Sequence, residues 1–109
     1  MKSELKFTHE SGSRKACKVT VYALSTCGFC RRALAFLREN SVEFDFIYVD
    51  LLPIDVQDEL VDRLEREFNS HVAFPFLIVD GKECHVGFNP EKYQRILEKI
   101  DAKEALTGG

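Results

Sequence analysis

The sequence lacks any long hydrophobic segment. Its longest apolar stretch, residues 72–79, is interrupted by Pro75, and residues 1–7 contain no apolar run of signal-peptide length. These two absences predict a soluble, cytoplasmic protein that does not bind a membrane. With 109 residues, of which 45% are hydrophobic, the chain is long enough to bury one core without the help of a metal ion or disulfides.

An excess of positive charge is also missing from most of the chain. Residues 1–18 contain five Lys or Arg and two Glu, whereas the rest of the chain contains 10 basic and 16 acidic residues. Because binding to phosphate groups requires a basic surface, this distribution argues against nucleic acid as a partner. The charged residues between Asp58 and Arg66 are interpreted as the solvated face of a helix.

The chain has only four cysteines, and a chain of this size does not need them as a disulfide framework. Two of them form the motif Cys27-Gly28-Phe29-Cys30, which follows a β-branched run and opens a helical pattern. At a helix N-terminus, unpaired N–H groups and the positive end of the dipole favour an anion, so we expect the pKa of Cys27 to lie below the ~8.5 of a free thiol. The motif predicts a redox-active dithiol in which Cys27 attacks a disulfide and Cys30 resolves the mixed disulfide.

The motif lies within a predicted βαβ unit. Apolar and β-branched residues predict strands at 18–24 and 43–50, and helical spacing predicts a helix over 27–38. Such a crossover makes the two strands parallel, so Cys27 is expected at the carboxyl end of the sheet, where open α/β sheets hold their sites. Cys30 falls on the apolar stripe of the helix, whereas Cys27 lies at its tip.

The second half of the chain predicts two helices and a hairpin. Asp55 is the predicted N-cap of a helix that ends near residue 68, and Asp80-Gly81-Lys82 is the predicted turn between strands at 76–79 and 83–86. Asn89-Pro90 supplies an N-cap and a first-turn proline for the last helix. The order βαβ-α-ββ-α describes an α/β fold with a four-stranded mixed sheet and three helices.

Three regions are predicted along the chain. Residues 1–16 are polar apart from Leu5 and Phe7, which predicts a flexible N-terminal arm or one weak extra strand. Residues 17–104 form the predicted domain, and residues 105–109 are expected to fray.

The motif and its order of elements resemble the glutaredoxins, which have the three-layer thioredoxin fold, and the resemblance covers residues 18–101. Cys27-Gly28-Phe29-Cys30-Arg31-Arg32 resembles the glutaredoxin pattern of an aromatic residue before the second cysteine and basic residues after it. Phe74-Pro75 lies where this fold has its cis-proline loop, so the resemblance implies a cis bond there. It also implies that Phe29, Arg31, Phe74 and Pro75 contact the substrate, although an exposed first-turn arginine is also common without a function.

A second resemblance concerns the electron donor. Gly87-Phe88-Asn89-Pro90 resembles the Gly-Phe-x-Pro of NrdH-type redoxins, which receive electrons as thioredoxins do. Leu24 stands where glutathione-using glutaredoxins carry a Lys, and Gly87-Phe88 stands where they carry Gly-Gly. This implies a thioredoxin-reductase-type or other dithiol donor, with glutathione as the alternative, and no tightly bound cofactor. Gly87 and Phe88 are expected to contact the substrate, although Phe88 can also pair with Tyr93 as a hydrophobic staple.

The predicted function is therefore a dithiol thiol–disulfide oxidoreductase, a monomer that reduces protein disulfides for redox homeostasis or supplies electrons to a reductase. One alternative is a glutathione-linked iron–sulfur carrier, because the motif resembles the Cys-Gly-Phe-Ser of monothiol glutaredoxins. However, the chain contains no Trp and so lacks their Trp-Pro. The other alternative is a non-catalytic binding module.

A metal site is not predicted. Cys84 and His85 follow each other in a predicted strand, so they point to opposite faces and cannot both ligate one metal ion beside the Cys-x-x-Cys motif. Cys17 and Cys84 open strands that a third strand separates, which puts them too far apart for a disulfide. Both are predicted to be ordinary thiols, and no histidine has a partner at catalytic spacing.

Overall fold

The computed structural model describes residues 5–107. Its strands and helices follow in the order β1 (Thr8–Glu10), β2 (Val19–Ala23), α1 (Gly28–Glu39), β3 (Phe44–Tyr48), α2 (Ile54–Phe68), β4 (Phe76–Val79), β5 (Glu83–Val86) and α3 (Pro90–Thr107), with a short 3₁₀ helix at Val49–Leu51 after β3. Every element predicted between residues 18 and 101 is present. None of the helices within residues 5–107 is both long and apolar enough to cross a membrane.

The strands form one mixed sheet with helices on both faces. Its order is β1-β3-β2-β4-β5, with β2 and β3 parallel as the βαβ pattern predicts and β4 antiparallel to both β2 and β5. Successive strand residues enter different cores: Val21 packs with residues of α1 and α3, whereas Tyr22 packs with residues of α2. The predicted three-layer architecture is therefore confirmed.

The prediction of a four-stranded sheet is wrong, because the described part of the chain has a fifth strand. β1 pairs antiparallel with β3, and Thr8 lies opposite Phe46. The His9 ring nitrogen Nδ1 lies 2.7 Å from Asp45, and Arg38 donates to Glu10 at 2.8 Å. The strand has three residues and none is buried, so it carries no apolar alternation that sequence analysis could detect.

The segment after β1 packs closely against the domain. A Cβ atom at Gly12 would lie 2.4 Å from the carbonyl oxygen of Ser41, so only glycine fits there. Arg14 donates to the carbonyl oxygen of Asn40 at 2.7 Å and to Asp101 at 2.9 Å. Of the two predicted alternatives for residues 1–16, an extra strand is present at β1, while residues 1–4 lie outside the described residues.

The start of α2 differs from the prediction. The helix begins at Ile54, with Pro53 at the N-cap position, so the prediction that Asp55 is the N-cap is wrong. The Gln57 N–H donates to the Pro53 carbonyl at 2.9 Å, and this bond starts the helix before Asp55. Asp55 lies in the first turn instead, where its charge still interacts favourably with the helix dipole.

The cap of α3 agrees with the prediction, whereas its end does not. The Asn89 side chain accepts hydrogen bonds from the N–H groups of Glu91 at 2.9 Å and Lys92 at 3.2 Å, as an N-cap does. The helix continues to Thr107, so residues 105–107 are helical although they were expected to fray. Residues 108–109 lie outside the described residues.

The hairpin between β4 and β5 has the predicted turn. Asp80 and Gly81 both have positive φ, at 55° and 68°, and the Lys82 N–H donates to the Val79 carbonyl at 3.0 Å. These angles are those of the tight turn that an Asp-Gly pair favours. The Asp80 side chain also accepts the Lys18 N–H at 2.8 Å, which joins the hairpin to the start of β2.

Candidate active site

The Cys-x-x-Cys motif lies at the carboxyl end of β2, where the chain turns into α1. Cys27 is the N-cap residue of α1, with the extended backbone angles φ −97° and ψ 122°. Its sulfur accepts the Cys30 N–H at 3.2 Å, so a thiol takes the role that a Ser or Asp side chain usually has at this position. The fold thus aims N–H groups of the first turn at the Cys27 sulfur, as the sequence predicts.

Hydrogen bonds at the helix start lower the pKa of Cys27. Burial alone would raise it, but the Cys30 thiol, the N–H groups of Cys30 and Phe29, and the positive charge of Arg31 together outweigh burial. Each of these groups stabilises the thiolate more than the thiol. Cys27 is half-buried, so its sulfur is both ionisable and accessible.

Cys30 has the opposite environment. It is fully buried in α1, and its sulfur accepts the Leu24 N–H at 3.4 Å. Burial raises the pKa of Cys30 to about 12, and its hydrogen bond with the Cys27 thiol and the charge of Asp50 add to this effect. Both cysteines are free thiols in this structure. The two neighbouring thiols therefore differ in accessibility and in acidity.

The loop predicted to contact the substrate packs against the same core cluster as Cys27. The Phe74–Pro75 bond is cis, as the resemblance implies. The Pro75 carbonyl accepts the Gly87 N–H at 2.8 Å, and Gly87 has a φ of 79° that favours glycine. Phe74, Phe88 and Cys27 pack half-buried against the same core cluster. Residues that lie up to 61 positions apart in the sequence thus pack against one cluster.

Two other predicted contact residues, Phe29 and Arg31, are exposed to solvent. Phe29 is 59% exposed, and the guanidinium of Arg32 lies 5.7 Å from the centre of its ring. Arg31 is exposed and acts on Cys27 through its charge. The ring centres of Phe88 and Tyr93 lie 4.8 Å apart, so the predicted hydrophobic staple is present.

Sequence analysis missed the role of Asp50. This residue follows β3, and its carboxylate accepts the Ser25 N–H at 2.8 Å and the Ser25 hydroxyl at 2.5 Å. The two hydrogen bonds hold the turn before Cys27 and lower the pKa of Asp50. β2 and β3 are parallel neighbours, so a polar residue just after β3 can reach the turn that follows β2. The position of Asp50 in the sequence was therefore a signal for this contact.

The remaining cysteines and histidines lie elsewhere. Cys17 is buried and Cys84 is half-buried, and both are free thiols. His85 lies 3.1 Å from Glu83. Within residues 5–107, no group of three or more His, Cys, Asp or Glu side chains is arranged to hold a metal ion.

A sheet of this order between two helical layers, with Cys-x-x-Cys at the start of α1 and a cis-proline before β4, defines the thioredoxin-like class of fold. The glutaredoxin family model matches residues 19–85, from the first residue of β2 into β5. The chain therefore belongs to the glutaredoxin family.

Several known proteins are similar to this chain in structure or in sequence. The glutaredoxin of Methanosarcina mazei is 34% identical, with a TM-score of 0.72 over 86% of this chain and 89% of that one. Methanoredoxin of Methanosarcina acetivorans is 30% identical, with a TM-score of 0.68 over 76% of this chain and 86% of that one. A probable glutaredoxin of Synechocystis sp. is 33% identical over 70 residues, which are 64% of this chain and 72% of the relative. These similarities support a redox function.

Proposed function

We propose that the protein is a dithiol thiol–disulfide oxidoreductase that reduces disulfides in other proteins. The observation that carries this proposal is the difference between the two thiols of one motif. Cys27 is accessible with a lowered pKa, whereas Cys30 is buried with a raised pKa. A thiolate is the attacking species in thiol–disulfide exchange, so these environments assign different roles to the two residues.

In the first step, the Cys27 thiolate attacks one sulfur of the substrate disulfide. The substrate S–S bond breaks, a mixed disulfide with Cys27 forms, and the first substrate thiolate leaves and takes up a proton. In the second step, Cys30 loses its proton and attacks the Cys27 sulfur. The Cys27–Cys30 disulfide forms and the second substrate thiolate is released and protonated, so two electrons pass from the protein to the substrate.

We propose that the backbone at Phe74-Pro75 and Gly87-Phe88 receives the substrate chain, with Phe29 and Arg31 as exposed contacts at the rim. The protein would act in the cytoplasm as a monomer without a tightly bound cofactor. Reducing protein disulfides would serve redox homeostasis or supply electrons to a reductase.

A trapping experiment tests the two roles. Cys30→Ser should accumulate mixed disulfides with a reducible protein such as insulin, because the resolving thiol is missing. Cys27→Ser should form none and should reduce no insulin. Cys84→Ser is the matched control, because it removes another half-buried thiol and should react normally. Insulin reduction by Cys27→Ser at the normal rate would refute the proposal, whereas a failure of the unaltered protein to reduce insulin would favour a binding module.

We also propose that a dithiol donor recycles the Cys27–Cys30 disulfide. Leu24 is apolar and packs against both cores, so it cannot pair with a glutathione carboxylate. The Phe88 ring packs against the rings of Phe36 and Tyr93, where the resemblance places a glycine in glutathione-using relatives. A charge-assisted contact contributes about 1.5–3 kcal/mol, so the loss of one weakens glutathione binding roughly tenfold or more.

Coupled turnover with NADPH tests the donor. The oxidised protein is given thioredoxin reductase, or glutathione with glutathione reductase, and NADPH consumption is compared. We expect faster turnover with the dithiol donor, and Leu24→Lys should raise glutathione turnover whereas Leu24→Met should not. Efficient glutathione turnover of the unaltered chain with no dithiol turnover would contradict this choice. Visible absorption after anaerobic reconstitution with iron and sulfide would instead favour the iron–sulfur carrier.

A further inference from the structure

Tyr93 carries a polar group that the fold does not use. The residue lies on the core face of α3 and is fully buried. Among residues 5–107, its hydroxyl is a buried side-chain polar atom without a hydrogen-bond partner. Such a group costs folding free energy, and a phenylalanine of nearly the same shape would avoid that cost. The hydroxyl therefore calls for an explanation beyond packing.

The surroundings of Tyr93 connect it to the active site. The centre of its ring lies 5.7 Å from the ring centre of Phe36 in α1 and 4.8 Å from that of Phe88, and both pairs of rings are nearly perpendicular. Tyr93 and Cys30 belong to the same buried cluster, against which Cys27 also packs. Burial, and after it a charge on Cys30, hold the pKa of Tyr93 well above its usual range. The hydroxyl thus stays protonated, and it belongs to a residue of the same buried cluster as Cys30.

We propose that the Tyr93 hydroxyl donates a hydrogen bond to the Cys30 thiolate when this thiolate forms during the second step of the reaction. The inference rests on the dithiol mechanism proposed above. Cys30 starts as a buried thiol, and a buried thiolate needs donors to replace water. The Leu24 N–H is one donor, at 3.4 Å from the sulfur. Asp50 acts in the opposite direction, because its negative charge disfavours the thiolate.

The proposed step conserves protons and bonds without any chemical change in Tyr93. Cys30 gives up its proton, and the substrate thiolate that leaves takes up a proton. The bond between Cys27 and the substrate sulfur breaks as the Cys27–Cys30 bond forms. The tyrosine keeps its own proton throughout and acts by stabilising charge on the attacking sulfur.

A two-phase reaction tests this role. The reduced protein is mixed with 5,5′-dithiobis(2-nitrobenzoate), which releases one coloured thiolate when Cys27 attacks and a second when Cys30 resolves the adduct. All variants carry Cys84→Ser, so that this half-buried thiol does not contribute. Tyr93→Phe should leave the first release unchanged and slow the second. We expect the second release to slow roughly three- to tenfold. Loss of the hydrogen bond raises the pKa of the Cys30 thiol and so lowers its thiolate fraction, but the more basic thiolate is a better nucleophile and recovers part of the rate.

The stability of Tyr93→Phe is a second measurement, and we expect it to rise although the rate of the second release falls. Tyr93→Phe removes an unpartnered polar atom, so the reduced protein should unfold at a higher urea concentration although its second step is slower. Tyr22→Phe is the matched control: it removes a hydroxyl from a buried tyrosine in the other core and should leave both releases unchanged. An unchanged second release in Tyr93→Phe would overturn this inference alone. If no adduct forms on Cys27 in any variant, the dithiol mechanism itself is refuted.

Discussion

Differential alkylation of the reduced protein gives a quantitative prediction for the two active-site thiols. At pH 7, a thiol with the pKa of about 12 found for Cys30 has a thiolate fraction of roughly 10⁻⁵. An ordinary thiol of pKa about 8.5 has roughly 3% thiolate, and the pKa of Cys27 is lowered rather than raised. The more basic Cys30 thiolate is intrinsically more reactive, with a Brønsted slope of about 0.4–0.5. This greater reactivity reduces the expected ratio of the two labelling rates to about a hundredfold.

The assay is timed labelling with iodoacetamide, followed by mass spectrometry of peptides that contain each cysteine. Cys27 should be labelled about a hundred times faster than Cys30, and the full burial of Cys30 should widen the difference. Cys17 is a slow internal reference, because burial raises its pKa as well. Labelling of Cys27 should reach its plateau at a lower pH than labelling of an ordinary thiol. Comparable labelling rates for Cys27 and Cys30 would refute the assignment of their roles.

Three further predictions concern the redox poise and the stability of the fold. The Cys27–Cys30 couple should have a potential of about −200 to −270 mV when equilibrated with glutathione buffers, and a value near −120 mV would contradict a reductase. Asn89→Ala removes the cap of α3 and should lower the free energy of unfolding in urea by about 1 kcal/mol; no change would show that the cap is dispensable. Leu77→Ala, at a fully buried position in β4, should cost about 2–5 kcal/mol, whereas Leu106→Ala, at a position that is 86% exposed, should stay within about 0.5 kcal/mol.

The features that sequence analysis predicted correctly depend on neighbouring residues. The βαβ unit around Cys27 follows from apolar spacing within a few turns, and the hairpin follows from Asp80-Gly81 because both residues adopt positive φ. Asn89 caps α3 through bonds to residues two and three positions away. The helix start that lowers the pKa of Cys27 is likewise local, which is why the site could be predicted from one short motif.

Other features needed contacts between distant parts of the chain. β1 exists because its backbone pairs with β3, so its polar residues gave no signal. Asp50 holds the turn at Ser25, 25 residues away, only because two parallel strands end side by side. The sequence by itself determined which element carries the two thiols, since helix geometry is local. Only the tertiary structure decided that Cys30 shares one buried cluster with Tyr93, because this depends on how α1 and α3 pack on the sheet.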